Sequence, residues 1–329
     1  MAPILQVKGL TVGFEGGTVP VLEGVDFDVE EGEILGIVGE SGAGKTMTAL
    51  SVLRLLPAAA RVVSGEIAYR GTNLLGLNAR GMNRIRGAQI SMIFQNPRTA
   101  LNPLYKVEKT LGQVLTAHRG LKSVEAHSAE LELLADVGLP DPGRVLQRHP
   151  HELSGGMCQR VMIAYAIASN PRLLIADEPT TALDVTVQLQ IIELLARLRR
   201  EHGLSLVLIT HNLSVVAELC DRVIVMYLGR IVEEGPVLEI FDHSRHPYTK
   251  GLLASRPSVH VDGRLKTIPG TVPDLRHRPT GCPFHPRCAF AKEICAVEAP
   301  PVEIVSAGHV VECHFWRELG PGPVGDGGT

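Results

Sequence analysis

The sequence predicts an α/β chain: a parallel sheet covered by helices, a helical insert, and a small cysteine-bearing C-terminal domain. Three observations carry this. Strand-like and helix-like hydrophobic periods alternate along most of the chain, the pattern of a parallel sheet with both faces covered. A glycine-rich turn at 39–46 joins an apolar strand run to a helix-like segment. Two of the six cysteines lie in the first 281 residues and four fall between Cys282 and Cys313, in proline-punctuated sequence with little apolar content.

Taken in order, Val25, Phe27 and Val29 alternate with Asp26, Asp28 and Glu30, the period of a half-buried strand. Glu33 to Val38 is a compact apolar strand run, and Lys45 to Leu56 reads as a helix. Asn96-Pro97 and Asn102-Pro103 then punctuate the chain, and Val124 to Val137 carries Ala and Leu at helical spacing. We read about 96–165 as a helical subdomain inserted into the core. Leu173 to Ala176 is a buried strand. A helix follows with Val187, Ile191, Leu194, Leu195 and Leu198 on one face and Gly203 as its stop. Leu204 to Thr210 and Val223 to Leu228 are further strands. The expected domains are a core over 1–238, a C-terminal extension over 239–319, and a disordered tail over 320–329.

Composition narrows the classes. A chain of 329 residues, 45% hydrophobic and 20% charged, is a structured globular protein at the upper size for one core. The net charge of −3 supplies no basic surplus for nucleic acid, and 4% aromatic content leaves few stacking platforms for single strands. The apolar runs are strand-sized, against the roughly 20 residues a spanning helix needs. The N-terminus lacks the basic-then-apolar pattern of a signal peptide. The expectation is a cytosolic chain with reduced thiols.

Gly39-Glu40-Ser41-Gly42-Ala43-Gly44-Lys45-Thr46 fits G-x-x-x-x-G-K-[ST] between a strand and a helix. In such a loop the backbone amides of Gly39, Ser41, Gly42, Ala43 and Gly44 turn inward on an anion, helped by the positive end of the helix. Lys45 then reaches the β- and γ-phosphates of a nucleotide, and the Thr46 hydroxyl ligates Mg²⁺. Leu173-Leu174-Ile175-Ala176-Asp177-Glu178 ends an apolar strand in two carboxylates. Asp177 suits the Mg²⁺ shell, because a hard cation takes oxygen ligands, and Glu178 is placed to orient or deprotonate the attacking water.

Leu153-Ser154-Gly155-Gly156-Met157 resembles the signature loop of the ATP-binding-cassette (ABC) family, and the resemblance covers Leu5 to about Gly235. In that family the loop, here Ser154, Gly155 and Gly156, binds the γ-phosphate of ATP held by the opposite subunit. Gln95 matches the glutamine loop, which implies a place beside Thr46 and Asp177 at the Mg²⁺. Thr181-Ala182-Leu183-Asp184 matches the dimer-contact loop, His211 the switch histidine, and Phe14 the aromatic that stacks on adenine. The resemblance thus implies an ABC-type P-loop NTPase core: a RecA-like parallel sheet with N-terminal antiparallel strands, binding ATP with Mg²⁺. Glu178, His211 and Gln95 would be its catalytic set. Cys158, at a position usually basic in such proteins, reads as a small tolerated substitution; the alternative is a thiol acidified at a helix N-terminus. Cys220 reads as a core cysteine.

Cys282, Cys288, Cys295 and Cys313 form the C-terminal cluster. A segment this poor in apolar residues gains from a metal cross-link, and four thiolates suit an iron–sulfur cluster or a tetrahedral zinc. No tight C-x₂₋₄-C pair is present, which favours the larger inorganic core; zinc stays open, with His285 and His314 as alternative ligands, and so do unligated thiols. Ile268-Pro269-Gly270-Thr271-Val272-Pro273 and Gly281-Cys282-Pro283-Phe284-His285-Pro286-Arg287-Cys288 resemble the C-terminal extension of oligopeptide and dipeptide permease ATPases. Members with four cysteines here are associated with a [4Fe–4S] cluster, so the resemblance implies one. It also implies a partner ATPase subunit in a heterodimer, two membrane permease subunits, an extracytoplasmic solute-binding protein, and a peripheral position on the cytoplasmic face of the cell membrane. The solute would be a di- or oligopeptide, or else a nickel chelate, glutathione or another peptide-like solute. Two other readings compete: a soluble ABC ATPase acting on nucleic acid or ribosomes, and an iron–sulfur assembly ATPase. Lys45 and Asp177 are only 132 positions apart with no heptad run between them, and the chain holds one cassette, which disfavours the first. The permease-like extension disfavours the second.

Overall fold

The computed structural model describes residues 2–17, 19–256 and 267–322. Its strands are Leu5–Phe14 (β1), Leu22–Val29 (β2), Ile34–Val38 (β3), Ala60–Tyr69 (β4), Thr72–Asn73 (β5), Ile90–Ile93 (β6), Leu173–Asp177 (β7), Ser205–Ile209 (β8), Arg222–Tyr227 (β9), Arg230–Pro236 (β10), Val302–Ser306 (β11) and His309–Glu312 (β12). Its α-helices are Lys45–Val52 (α1), Ala79–Ile85 (α2), Pro97–Ala100 (α3), Val107–Val114 (α4), Ser123–Asp136 (α5), Pro142–Leu146 (α6), Gly155–Ile167 (α7), Val185–His202 (α8), Leu213–Leu219 (α9), Val237–His243 (α10), Pro247–Ala254 (α11) and Glu293–Val297 (α12). The chain folds as two compact units. One holds Leu5–Val29, Ile34–Leu75 and the described residues from Thr210 onward; the other holds Gly76–Ile209 with Glu30–Glu33 and the residues up to Ile4.

In the first unit an antiparallel sheet runs in the order β2-β1-β4-β5. Val7 faces Phe27 across β1 and β2, so the alternation read from the sequence puts Val25, Phe27 and Val29 inward. The same unit pairs β3 with β9 in parallel, Ile37 opposite Ile224, along two strands of almost wholly buried apolar residues. A purely parallel arrangement does not continue. Leu228 and Gly229, at φ +44° and +77°, form a two-residue turn that sends β10 back antiparallel to β9. Gly229 cannot be replaced there, because a Cβ would lie 1.9 Å from the Val21 carbonyl oxygen.

The C-terminal extension joins this sheet. β12 pairs antiparallel with β10, Glu233 opposite Val311, and β11 pairs with β12. Glu233 and His309 meet at 2.9 Å with both side chains fully buried, and Glu233 also accepts the backbone N–H groups of Arg245 and His246. Arg230 bonds Glu312. Of the tail expected at 320–329, Gly320 accepts a bond from Lys250 Nζ at 2.7 Å and Gly322 N donates to Ser244 at 3.2 Å; the rest lies outside the described residues.

In the second unit β6, β7 and β8 are parallel, with Met92 opposite Ile175 and Ile175 opposite Val207. The helices expected within 96–165 are α3 to α7, and Leu115, Ala126, Ala129 and Ala168 form part of their shared core. α8 ends where Gly203 takes φ +60°, the left-handed stop that the sequence indicated. Among the described residues no helix is long and apolar enough to cross a membrane.

Candidate functional site: a phosphate loop, a strand-end carboxylate pair and a cysteine cavity

The phosphate loop lies in the first unit, between β3 and α1. Gly39 has φ +153°, and a Cβ there would sit 2.3 Å from the Met226 carbonyl oxygen, so this position accepts only glycine. Gly44 is the N-cap of α1, whose first turn carries no acidic residue to oppose an anion. Ser41, Gly42 and Thr46 are exposed at the rim, whereas Ala43 is buried and its carbonyl accepts Gly229 N at 2.9 Å. Lys45 is buried, and its Nζ donates to the carbonyls of Gly39 (2.8 Å) and Glu40 (3.0 Å). These carbonyls occupy the ammonium donors that phosphate oxygens would take. Phe14, 43% exposed, ends β1. His211, exposed, precedes Asn212, which caps α9 by accepting Ser214 N.

The second unit holds the carboxylates. Asp177 closes β7 and is almost fully buried. Glu178 follows at φ +47°, a left-handed conformation that a non-glycine residue adopts only under constraint, and its N–H donates to Ile209 O at 2.9 Å. Its Oε2 accepts from Gln95 Nε2 (3.0 Å) and Thr181 Oγ1 (2.8 Å). Two residues of the expected catalytic set, 83 positions apart, are therefore in direct contact.

Ser154 caps α7 by accepting Met157 N at 3.3 Å, which leaves the glycine pair at the start of the helix. Asp184 caps α8 through Val187 N at 3.0 Å, so its carboxylate has a structural role independent of any ligand. Gln95, Gly155, Thr181 and Leu183 line one cavity of about 600 Å³ in this unit. Gln159 also lines it, buried, with an amide nitrogen that lacks a hydrogen-bond partner. Sequence reading passed over Gln159. Its signal was a polar residue on the otherwise apolar face of α7. The acidified-thiol reading of Cys158 is overturned. The residue is fully buried, its Sγ reaches Pro150 O at 3.6 Å, and burial pushes the thiol pKa up.

The four C-terminal cysteines, which belong to the first unit, line one cavity together with Phe284, Phe290 and Phe315. No carboxylate lines it. Burial pushes Cys282, Cys288 and Cys313 up to about 11, with backbone hydrogen bonds opposing it and the neighbouring thiols adding to it. A soft metal drawing off those protons would reverse this penalty, so the donor set and the water-poor lining fit a thiolate-bound metal group. His285 Nδ1 lies 2.9 Å from Cys282 O, and His314 Nε2 lies 3.0 Å from Glu298 O, so one nitrogen of each ring is already committed to a carbonyl. A tetrahedral zinc at about 2.3 Å from each sulfur holds its ligands roughly 3.8 Å apart. Among the described residues, no three donors of this set fall within 4.8 Å of one another.

Comparison with known proteins agrees with this geometry. Residues 22–181 match the sequence family described as ABC transporter, and residues 232–295 match that described as oligopeptide/dipeptide transporter, C-terminal region. A putative peptide import ATP-binding protein of Brucella melitensis biotype 1 is 47% identical over 96% of this chain and 98% of its own. A probable peptide ABC transporter ATP-binding protein of Sinorhizobium fredii is 48% identical over 95% of each chain. Among solved structures, the ATP-binding cassette MJ0796, in a dimeric post-hydrolysis state bound to ADP and Pi, superimposes with a TM-score of 0.64 at 30% identity. That match covers 71% of this chain and 98% of MJ0796. With its phosphate loop, its strand-end carboxylates and a relative that matches nearly end to end, this chain belongs to the ABC transporter family and carries the C-terminal region of the oligopeptide/dipeptide transporters within it.

Proposed function

We propose that this chain is the ATP-hydrolysing subunit of an ABC importer for di- or oligopeptides, working with Mg²⁺. The observation that carries the chemistry is Glu178, strained at the end of β7 beside Asp177 and held at one oxygen by Gln95 and Thr181. Glu178 positions the attacking water, while Asp177, Thr46 and Gln95 serve the metal and Lys45 the β- and γ-phosphates. His211 meets the transferred phosphoryl group, and Phe14 stacks on the base.

The Ser154–Gly156 loop and Asp184 act on the nucleotide of a second cassette, so the working unit is a dimer, which we assign as a heterodimer with a related ATPase. Closure on ATP and reopening after hydrolysis drive two membrane permease subunits supplied by an extracytoplasmic solute-binding protein. The protein then sits peripherally on the cytoplasmic face of the membrane. Support for the peptide solute comes from the relatives' names and from the matched C-terminal region.

Cys282, Cys288, Cys295 and Cys313 would hold a [4Fe–4S] cluster, which supplies a rigid cross-link for a segment poor in apolar residues. Four cysteines without a tight C-x₂₋₄-C pair support this group over zinc.

Co-purification with membrane subunits, followed by ATPase assay in proteoliposomes, tests the reading. The expected result is ATP hydrolysis stimulated by a peptide-loaded binding protein. Recovery with ribosomes or DNA and without membrane subunits would overturn it.

A further inference from the structure

Glu40 is the second residue of the phosphate loop, and a carboxylate on an anion-binding loop opposes the anion. Both of its oxygens are taken by Arg287: Nη1 donates to Oε2 at 2.6 Å and Nη2 to Oε1 at 3.0 Å. Arg287 lies 247 positions away, immediately before Cys288 and five residues after Cys282. Its side chain is only 4% exposed. Its Nε also donates to Pro269 O at 3.0 Å, and Nη1 reaches the Tyr227 hydroxyl at 3.4 Å. Few of its donors remain for anything else.

A second path joins the same two places. Glu40 N donates to the Tyr248 hydroxyl at 2.8 Å, and Phe284, two residues after Cys282, packs its ring against Tyr227 and Tyr248 at 5.3 Å each. On its other side, Glu40 O accepts Lys45 Nζ, the amine that must turn to the phosphates. The conformation of the cysteine-bearing loop is thus tied to the limb of the phosphate loop that holds Lys45.

We propose that Arg287 is a positioning residue of the phosphate loop, which neutralises and orients Glu40 and thereby couples the cysteine cavity to ATP affinity. The inference rests on the ATP-binding reading above. Two effects combine. Charge pairing removes the repulsion between Glu40 and the triphosphate, and the bidentate geometry fixes the loop limb before ATP arrives. The same coupling predicts the reverse effect: bound nucleotide changes the exposure of the cysteines.

The test is a double-mutant cycle on the full-length chain, comparing R287A, R287K, E40Q and E40Q/R287A for ATP affinity, KM and kcat. R287A leaves the Glu40 charge uncompensated, so ATP affinity falls about tenfold and KM rises with a smaller change in kcat. E40Q recovers much of that loss on the R287A background, and R287K, with a point charge in place of a fork, falls between. Alkylation of the cysteines in the protein as purified supplies a readout that a simple loss of stability would not reproduce. Mg-ATP changes its rate in the unsubstituted chain and leaves it unchanged in R287A. If R287A fails to fold, R287K and E40Q/R287A still complete the comparison. Unchanged ATP affinity in R287A or R287K, additive effects in the cycle, or cysteine alkylation indifferent to nucleotide in the unsubstituted chain would each overturn the proposal. Failure of the unsubstituted chain to bind ATP would instead overturn the functional reading. Iron and sulfide content does not enter the cycle.

Discussion

Gln95 Nε2 donates to Glu178 Oε2 at 3.0 Å, and the same oxygen accepts the Thr181 hydroxyl at 2.8 Å. The carboxylate is thus held from two sides, on a residue whose backbone is itself forced to φ +47°. Gln95 immediately precedes the Asn96 cap of α3, so a movement of that segment would shift a donor of the Glu178 carboxylate, to which we assign the attacking water.

Replacing Gln95 with alanine removes one of these two bonds. ATP binding should survive, with hydrolysis in the assembled transporter falling roughly 10- to 100-fold. Steady-state ATPase rates measured beside equilibrium ATP binding check this; a parallel loss of affinity would move Gln95 from positioning to binding.

Lys45→Ala should weaken ATP binding by at least about tenfold, because it removes a charge-assisted contact to the phosphates. The bonds it breaks include those to carbonyls of the loop itself, of Gly39 and Glu40, so the loss of stability should be smaller than the loss of affinity. Isothermal titration and thermal melting separate the two effects. An unchanged affinity would remove the phosphate-loop assignment.

Glu130 makes stability pH-dependent. Its side chain is buried among α4 and α5, and burial, followed by the charge of Glu108, raises its pKa from 4.5 to about 7, with His127 opposing. The folded state therefore holds a proton that the unfolded state has released. Stability is fully present below the unfolded value and falls as pH rises from about 4.5 through about 7, by on the order of 3 kcal/mol for this group. Glu130→Gln should flatten that part of the curve of melting temperature against pH. Equal slopes in both proteins would contradict the assignment.

Anaerobic purification should give a brown protein with iron and acid-labile sulfide, both lost when Cys282, Cys288, Cys295 and Cys313 are replaced by serine. Elemental analysis decides it. Stoichiometric zinc without sulfide would replace the cluster by a tetrahedral site.

The legible parts of the site are the local ones. Gly39 to Thr46 and Leu173 to Glu178 each write a strand, a turn and their chemistry into a short window, so motif and structure coincide. The antiparallel return at Leu228-Gly229 was hidden because leucine occupies a left-handed position usually filled by asparagine, aspartate or glycine. Cys158 shows the limit of position without packing. Its place near the start of α7 left open the alternative of an acidic thiol, but the side chain is buried and burial dominates. The pairing of Arg287 with Glu40 spans 247 residues and leaves no periodic trace, and neither does the union of β12 with β10. Contacts of that length are decided by the tertiary fold.

The turnover of Glu178→Gln in the assembled transporter tests whether ATP is hydrolysed through Glu178. The amide keeps the shape and can still bond Thr181, but it cannot take a proton or hold water by charge. The account predicts that ATP stays bound, that hydrolysis falls on the order of 10³-fold, and that peptide uptake stops. Turnover within twofold of the unsubstituted protein, with ATP bound equally well, would contradict it.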